Sequence, residues 1–500
     1  MRYLVIHDVD AIQAYVLATN RLREIRGASA LIDSINRRDT RRLVHENGGD
    51  GVYFGGGSAA AEFNNSHRAN KFCDEVSKCY ADRTGTASST GVVVDYDDSD
   101  PEGFQKAVRQ GYNGLRKKKR SGRRETQLFT GPYLKRCQHC GIFPAERHYR
   151  LGDEDESRFV CASCSVKRTY GREPDIHRHV RRLMRATGHA EIEFPATLDD
   201  IGIRAKPKGY IGVIYADGNR MGDRFQKIKT KTALRHFSDI VDKATRHAIS
   251  SVLARKFADA TGTPMLPVVV PLCGGDDLIV VAPAQHTMDI ALEYLREVQR
   301  LIANMMSKEV EEMQGTSEVS ACAGVAIAKQ ATPMSALFDL SHDLCRQAKR
   351  RSYDEYQQNR EVACLDFQVV TTPTWGNVEE TRREQFAISD DRRLTCRPYT
   401  VDETQGLIRA ARELKQAKFP QGKLHDLYRS LWQGKHQATL TYSTISVRAG
   451  NTNDEQRRAL DNVKEYLRVD PPPWRQVTGQ SLETPYGDLV EIYPFVKEQE

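Results

Sequence analysis

Two apolar runs, Met265–Cys273 and Leu278–Ala282, are separated only by the tetrapeptide Gly274-Gly275-Asp276-Asp277. A Gly-Gly pair between two apolar runs predicts two strands joined by a tight turn, because glycine adopts the backbone angles that such turns need. Both acids would then lie at the tip of a hairpin, where they offer the hard oxygen ligands that suit magnesium and a nucleoside triphosphate. Glycine and aspartate are also ordinary turn residues, so the tetrapeptide alone leaves a plain turn open.

A third acid ends another apolar run. Residues Tyr210–Ala216 read as a buried strand, and Asp217 and Gly218 follow it before a long helical pattern begins. Two-metal phosphoryl transfer needs carboxylates from separate strands that converge on ions about 3.5–4 Å apart. Asp217 together with Asp276 and Asp277 would meet that need. The sequence therefore predicts a nucleotidyl-transfer site.

The hairpin belongs to a repeated pattern of strands and helices. The order strand, helix, hairpin, helix, strand, helix occurs over residues 1–125 and again over residues 209–364. This βαββαβ order is the ferredoxin-like arrangement, so we expect an α+β protein with two ferredoxin-like domains. Within the two repeats, apolar spacing predicts continuous helices over Asp10–Ile35 and Gly222–Phe257.

The first repeat lacks the acids of the second hairpin. Gly55-Gly56-Gly57-Ser58 stands where Gly274-Gly275-Asp276-Asp277 stands in the second repeat. We therefore expect only the second repeat to bind catalytic metal, although the bare amides of the first hairpin could cradle a phosphate.

Between the repeats, residues 126–208 contain two Cys-x-x-Cys pairs, Cys137/Cys140 and Cys161/Cys164. Their separation fits the spacing of a four-cysteine zinc site, which four thiolates would close as a structural centre without His139 or His148. An odd total of eleven cysteines argues against a disulfide framework and for a reducing compartment. No signal peptide and no run of about 18 apolar residues is visible. We therefore expect a cytoplasmic protein with no membrane segment.

The remaining features carry weaker signals. The net charge of +7 permits contact with nucleic acid without requiring it. The densest positive cluster, Arg116–Arg120 with Arg123 and Arg124, is either a solvated helix end or a contact for a nucleic-acid backbone. Residues 365–500 are predicted to form a helical domain that packs on a partner, with helical periodicity over Gln405–Ala417, Leu424–Trp432 and Glu455–Leu467.

These parts together resemble the large subunit of type III CRISPR effector complexes. The resemblance extends along the chain and rests on the order and spacing of several motifs, each weak alone. The motifs are Ile12-Gln13-Ala14-Tyr15, Leu22–Ser29, the Gly55–Gly57 hairpin, the four-cysteine insert, Ala216–Gly222, the Gly274–Asp277 hairpin and Arg397-Pro398-Tyr399-Thr400.

The resemblance implies two palm domains and an RNA-activated synthase of cyclic oligoadenylate, a second messenger made from ATP with magnesium or manganese. Asp217, Asp276 and Asp277 match the family's catalytic acids, and Lys349 resembles a lysine that contacts triphosphate in related cyclases. Gly218, Gly274 and Gly275 would line the nucleotide site, and Gly55-Gly56-Gly57-Ser58 resembles the pocket of a second nucleotide. Implied partners are guide RNA, target RNA and the small-subunit and backbone Cas proteins.

Two alternative functions stay open at this stage. One alternative is a freestanding GGDEF-like synthase of a cyclic dinucleotide, which could use GTP. Another is a mainly structural subunit of the guide-RNA complex. Many members of the family begin with an HD nuclease domain, but here the first predicted strand starts at residue 3, and neither His7-Asp8 nor His342-Asp343 has the further histidines of such a site. We therefore expect no intrinsic single-stranded DNase activity.

Overall fold

The structure is a computed structural model of the 500-residue chain. It describes residues 1–121, 133–150, 157–170, 174–186, 188, 192–257, 265–306, 318–371, 377–389, 392–452, 454–477 and 481–498. Arg123 and Arg124 of the predicted basic cluster lie outside these residues.

The first repeat forms a four-stranded antiparallel sheet in the order β2-β3-β1-β4, with helices packed against it. Its elements in chain order are β1 (Arg2–Val9), α1 (Ile12–Val16), α2 (Leu22–Ser34), a π-helical segment (Ile35–Thr40), α3 (Arg41–Glu46), β2 (Asp50–Gly55), β3 (Ser58–Phe63), α4 (Ser66–Thr84), β4 (Ser89–Tyr96) and α5 (Gly103–Ser121). This strand order is the ferredoxin-like one.

The linking segment carries a small hairpin and short helices. Its elements are β5 (Arg147–Arg150), β6 (Ser157–Val160), α6 (Ala162–Thr169), α7 (Asp175–Ala186) and α8 (Leu198–Gly202).

The second repeat has the same strand order within a larger, six-stranded sheet. Its elements are β7 (Tyr210–Gly218), α9 (Met221–Lys227), α10 (Lys231–Lys256), β8 (Val269–Gly274), β9 (Asp277–Pro283), α11 (Ala284–Met306), β10 (Ala321–Lys329), α12 (Met334–Gln357) and β11 (Cys364–Val369). The sheet order β10-β7-β9-β8 matches β4-β1-β3-β2 of the first repeat, and β11 pairs in parallel with β10. The predicted α+β class with two ferredoxin-like folds is confirmed.

The C-terminal region is mostly helical and includes a small second sheet, β12-β13-β16-β15, which the sequence analysis did not predict. Its elements are α13 (Val378–Phe386), β12 (Ala387–Ser389), β13 (Arg392–Arg393), β14 (Tyr399–Thr400), α14 (Val401–Gln416), α15 (Gln421–Gln433), α16 (Lys435–Thr452), α17 (Asp454–Leu467), β15 (Arg475–Gln476), β16 (Leu482–Glu483), α18 (Tyr486–Ile492) and a 3-10 turn (Tyr493–Phe495). The boundary expected between residues 364 and 365 falls inside β11.

The central strand of each sheet is buried on both faces. Along β1, Leu4 and Ile6 belong to one hydrophobic cluster, while Val5 between them belongs to another. In β7, Ile214 and its neighbour Val213 divide in the same way. Since side chains alternate across a strand, each sheet separates two layers of core, and both clusters contain residues of both repeats.

Two of the helices predicted as continuous are interrupted. The run predicted over Asp10–Ile35 divides into α1 and α2, because Arg21 is extended and its amide donates to Thr19 Oγ1 at 3.1 Å. The run over Gly222–Phe257 divides into α9 and α10, because the Thr230 hydroxyl accepts the Ala233 amide and caps a new helix. Apolar periodicity does not register such caps.

Candidate active site

The three predicted acids lie together at one end of the second sheet. The β8–β9 hairpin closes on the Gly274–Asp277 pair, and Gly275 in its turn has a φ of 61°. Strand β9 pairs with β7 up to Ala216 and Leu278, so the next position along places Asp217 beside Asp277. This placement matches the sequence prediction that Asp217, at a strand end, lies close to the acids of the hairpin.

Glycine at position 218 lets the Asp276 side chain approach the end of β7. A Cβ on Gly218 would lie 3.1 Å from Asp276 Oδ2 and 3.0 Å from Asp276 Cβ. The same Cβ would lie 2.6 Å from Met221 Cγ, so any larger residue would force Met221 or Asp276 to move.

Two polar groups orient the acids. Lys349 Nζ on α12 lies 2.6 Å from Asp217 Oδ2 and donates a 2.9 Å hydrogen bond to the Gly218 carbonyl. The Tyr215 hydroxyl donates a 2.8 Å hydrogen bond to Asp277 Oδ1, and its ring packs edge-on against Phe338. Lys349 and Asp217 are each about one-quarter exposed, so the pair remains open to a ligand.

Two of the acids, Asp276 and Asp277, resist ionisation. Burial raises the pKa of Asp276 well above its usual value, and the charges of Asp217 and Asp277 raise it further, whereas Lys349 opposes the rise. Burial and the Asp217 charge also raise the pKa of Asp277 to about 7, against the hydrogen bond from Tyr215. Burial would lower the pKa of Lys349, but the adjacent Asp217 carboxylate raises it above its usual value. The site therefore has more negative charge than its residues neutralise.

A divalent cation fits this imbalance. In the part of the chain that the structure describes, Lys349 is the only lysine or arginine that forms an ion pair with Asp217, Asp276 or Asp277. Carboxylate oxygens are the ligands that Mg²⁺ and Mn²⁺ take, and a bound cation would favour the ionised form of Asp276 and Asp277.

The acid-free hairpin of the first repeat lies directly against the acidic hairpin. A Cβ on Gly56 would lie 2.8 Å from the Gly274 carbonyl oxygen, and a Cβ on Gly274 would lie 2.9 Å from the Gly56 amide nitrogen. Gly56 also has a φ of 61°. The two turns can approach this closely only because both positions are glycine.

An ion network fixes the acidic turn to the first repeat. Asp242 on α10 accepts a 3.0 Å hydrogen bond from the Gly275 amide and pairs with Arg37 Nη2 at 2.7 Å. Arg246 Nε donates to the same carboxylate at 3.1 Å. Burial would raise the pKa of Asp242, but Arg246 and Arg37 hold it below its usual value. Sequence analysis did not single out these residues, because nothing along the chain relates Arg37 to Asp242.

The first repeat retains an acid–lysine pair that sequence analysis missed. Asp8 near the end of β1 pairs with Ser58, as the register of the second repeat places Asp217 beside Asp277. Lys119 Nζ on α5 lies 2.6 Å from Asp8 Oδ2, which reproduces the 2.6 Å contact of Lys349 with Asp217. Both lysines lie on the helix after the fourth strand of the ferredoxin-like unit, which is β4 in the first repeat and β10 in the second. Aligning the two repeats element by element, with the end of the first strand and the last helix of each repeat matched separately, would have found the pair.

Ser58 and the glycines of the first hairpin lie beside this pair. The Ser58 hydroxyl donates to the His7 carbonyl at 3.2 Å and lies 3.2 Å from the Tyr53 hydroxyl. His7 itself is buried in β1, where its ring stacks on Tyr80.

The four predicted zinc ligands converge at one point. The Sγ atoms of Cys137, Cys140, Cys161 and Cys164 all lie within 4.8 Å of one another, and none forms a disulfide. Four converging thiols with no nearby open ligand position suit a tetrahedral structural Zn²⁺. His139 does not join them, because its ring Nδ1 contacts the buried Glu24 carboxylate instead.

Residues 210–357, which contain all three acids and Lys349, match the family model described as Cas10/Cmr2, second palm domain. The second repeat is similar to the second palm domain of Cas10/Cmr2. The resemblance to the large subunit of type III CRISPR complexes is thereby confirmed. No curated protein sequence matches the chain.

Solved Csm1 structures share the fold of the whole chain. The crystal structure of Csm1 in T. onnurineus aligns with a TM-score of 0.58 and 14% identity, covering 100% of this chain and 70% of that one. A Csm1-Csm4 cassette in complex with AMPPNP aligns with a TM-score of 0.56 and 15% identity, covering 99% and 70%. The same cassette in complex with cA4 aligns with a TM-score of 0.55 and 14% identity, covering 93% and 69%. In the described ranges, no helix is long and apolar enough to cross a membrane.

Proposed function

We propose that this chain is a nucleotidyltransferase that converts ATP into cyclic oligoadenylate within a type III CRISPR ribonucleoprotein. The observation that carries the proposal is the cluster of Asp217, Asp276 and Asp277 with a single ion-paired lysine at the end of a domain similar to the Cas10/Cmr2 second palm. Structures of Csm1-Csm4 cassettes in complex with one ATP, pppApA, pppApApA, cA3 and cA4 support the same substrate and product class.

In this proposal the acids act as metal ligands and the reaction joins two nucleotides. A ribose hydroxyl of one nucleotide attacks the α-phosphate of the other, and pyrophosphate leaves. Mg²⁺ or Mn²⁺ held by Asp217, Asp276 and Asp277 would lower the pKa of the hydroxyl and offset the charge on the phosphates. Lys349 exchanges part of its contact with Asp217 for the triphosphate. Gly218, Gly274 and Gly275 leave room beside the acids for the phosphates.

The first palm holds the second nucleotide. Its hairpin, Gly55-Gly56-Gly57-Ser58, lies against the acidic hairpin, so two nucleotides bound at the two turns would face one another. The retained Asp8–Lys119 pair gives this pocket a cation and an acid in the same relation as Lys349 and Asp217. Because its hairpin has Gly57 and Ser58 in place of the two hairpin acids, the first palm positions a nucleotide and does not catalyse the transfer.

The remaining parts serve assembly. We propose that residues 1–125 and 209–364 are the two palm domains, that residues 126–208 are a zinc-stabilised linker, and that residues 365–500 are a helical partner-binding domain. Guide RNA, target RNA and the small-subunit and backbone Cas proteins are the proposed partners, and the Csm1-Csm4 cassettes support a multisubunit setting. A freestanding GGDEF-like cyclic dinucleotide synthase and a mainly structural subunit remain the competing functions.

One experiment separates these three functions. The chain, assembled with guide RNA and its partner subunits, is incubated with labelled ATP or GTP, Mg²⁺ and matching target RNA, and the products are identified by mass. We expect cyclic oligoadenylate from the wild type and none from an Asp276→Ala/Asp277→Ala variant that assembles normally. A cyclic dinucleotide from the unassembled chain would support the freestanding synthase. Equal output from both proteins would remove the proposed site.

A further inference from the structure

Arg397 and Pro398, part of a motif noted in the sequence, line a cavity of about 470 Å³. The proposed reaction does not use this cavity. The Arg397 side chain is only 1% exposed and pairs at 3.0 Å with both Asp488 and Glu491. Its Nη2 nevertheless has no hydrogen-bond partner in the described part of the chain. Because this nitrogen is itself buried, Arg397 adds positive charge behind the wall of the cavity but no donor that a ligand can reach.

Three further arginines line the same cavity, which we call the arginine pocket: Arg382, Arg383 and Arg393. Arg382 binds Asp366 through two hydrogen bonds of 2.6 and 2.7 Å. Arg383 and Arg393 are exposed, and neither forms an ion pair with another described residue. Arg350 and, less strongly, Arg383 lower the pKa of Glu379, but Glu379 forms its ion pair with Arg350, so neither exposed arginine is held in an ion pair with a described residue.

The acids of the arginine pocket do not neutralise these cations. Glu379 lies 2.5 Å from Arg350, outside the pocket, and Glu483 accepts a 2.8 Å hydrogen bond from Arg475. Because each carboxylate already has its own arginine, the pocket keeps an excess of positive charge. An anionic ligand would be attracted to it.

One aromatic ring lines the arginine pocket, and a second ring lies next to it. Phe386 lines it, with the Arg397 guanidinium carbon 5.0 Å from the ring centroid. The Trp432 ring centroid lies 6.2 Å from that of Phe386, and Trp432 is 42% exposed. Guanidinium groups beside exposed aromatic rings are the combination that binds a phosphate and stacks the attached base.

We propose that the arginine pocket binds a nucleotide, with its phosphate on Arg383 and Arg393 and its base against Phe386 and Trp432. A simple carboxylate would use the arginines but leave the aromatic rings unused. The volume lies within the range of about 300–1,000 Å³ that small-ligand pockets occupy.

This pocket is distinct from the proposed catalytic site. Gln347 on α12 lines the arginine pocket, whereas Lys349, two residues later, contacts Asp217. Two residues along an α-helix are separated by about 200° around its axis, so the two sites lie on opposite sides of α12. The inference therefore does not depend on the proposed activity.

A nucleotide can come from three sources with this chemistry: free ATP, a short oligoadenylate or single-stranded RNA. Photo-crosslinking distinguishes them, with 8-azido-ATP, a linear tri-adenylate carrying 8-azidoadenosine and a 12-nucleotide RNA carrying 8-azidoadenosine as separate probes on the full chain. Peptide mapping then reports where each probe reacts. We expect at least one probe to label the peptides that contain Phe386 or Trp432.

The decisive variant is Arg383→Ala/Arg393→Ala, since both side chains are exposed and their removal leaves the buried ion pairs intact. We expect it to lower labelling of these peptides at least tenfold and leave labelling of the palm hairpins unchanged. Arg457→Ala/Arg458→Ala, which removes two exposed arginines of α17, is the matched control and should label like the wild type.

Three outcomes would overturn the proposal. The first is that no probe labels these peptides. The second is that Arg383→Ala/Arg393→Ala is labelled as strongly as the wild type. The third is that hexaglutamate protects these peptides from labelling as effectively as unlabelled nucleotide does. The last outcome would assign the pocket to an acidic peptide. Loss of labelling at the palm hairpins alone would count against the proposed activity and not against this site.

Discussion

The amide of Gly275, in the turn that carries the acids, donates a 3.0 Å hydrogen bond to Asp242, and the same carboxylate pairs with Arg37 of the first palm at 2.7 Å. Among the described residues, no hydrogen bond joins Asp242 to any of the three acids. Asp242 fixes the turn that presents them and connects that turn to the other palm. Asp242 is therefore a positioning residue.

We expect Asp242→Ala to lower kcat for product formation about tenfold, the effect of losing ~1.4 kcal/mol of transition-state stabilisation. The KM for ATP should change little, because the acids and Lys349 remain. Asp242→Asn should fall between the wild type and Asp242→Ala, since an amide oxygen still accepts from Gly275 but no longer attracts Arg37. Steady-state kinetics of the assembled complex measures both parameters.

The control for this series is Asp239→Ala, which removes an exposed acid from the same helix. It should leave kcat unchanged. Asp242→Ala kinetics equal to those of the control would exclude the positioning role.

The pKa of Asp277, raised to about 7 by burial and by Asp217, predicts how Mg²⁺ binding depends on pH. A proton on Asp277 competes with the cation, so the apparent Mg²⁺ affinity should rise between pH 6 and pH 8. Without metal, the folded state holds this proton more tightly than the unfolded state, so its ionisation lowers stability as the pH rises from about 4 to about 7. Titration with Mg²⁺ at several pH values, followed by thermal unfolding, measures both effects.

Asp277→Asn should change both pH profiles, because it removes one of the two buried acids with a raised pKa and leaves Asp276, while keeping the shape of the side chain. A wild-type affinity for Mg²⁺ that stays constant from pH 6 to pH 8 would contradict the prediction.

The Asp8–Lys119 pair predicts that the first palm contributes to nucleotide binding. Asp8→Asn leaves Lys119 without its 2.6 Å partner and should raise the ATP concentration for half-maximal product formation several-fold. Asp95→Asn, an exposed change on β4, is the control. Product formation is measured over a range of ATP concentrations. Identical curves for Asp8→Asn and Asp95→Asn would count against a nucleotide in the first palm.

The parts of the site that are local in sequence were predictable, and the parts that depend on packing between palms were not. The Gly274–Asp277 hairpin can be recognised from four consecutive residues, and the four cysteines can be recognised from their fixed spacing. Asp217 needed only the strand that precedes it. Asp242 and Arg37 are 205 positions apart, and their meeting depends on how two ferredoxin-like units dock. No periodicity along the chain records that docking.

The fold shows the same division. Strong apolar periods predicted the strands and most of the helices of both palms. The small β12-β13-β16-β15 sheet was not predicted, because its strands are two or three residues long and too short to show an alternating pattern. Helix α16 was not predicted, because its apolar residues do not concentrate on one face.

Zinc removal should destabilise the first palm through α6. This helix begins directly after Cys161, and a Cβ on Gly27 of α2 would lie 1.8 Å from the Lys167 carbonyl oxygen, so α6 packs tightly on α2. We expect one zinc per chain and a lower unfolding midpoint in Cys161→Ser, measured by metal analysis and calorimetry. Cys79→Ser, on α4 and outside the cluster, is the control. A zinc content unchanged by Cys161→Ser would exclude the four-cysteine site.

The contact between Gly56 and Gly274 predicts that the two hairpins cannot tolerate a methyl group between them. In Gly56→Ala, the new Cβ would lie 2.8 Å from the Gly274 carbonyl oxygen, and the hairpins would have to separate. Alanine at a φ of 61° also costs about 1–2 kcal/mol by itself. Gly85→Ala supplies the matched control, because Gly85 has a φ of 76° but its Cβ would meet no atom closer than 3.5 Å. Both variants should lose similar stability in thermal unfolding, but only Gly56→Ala should also lose product formation, because only there does the backbone collision move the acidic turn. Equal activity in the two variants would show that synthesis does not require the hairpins to touch.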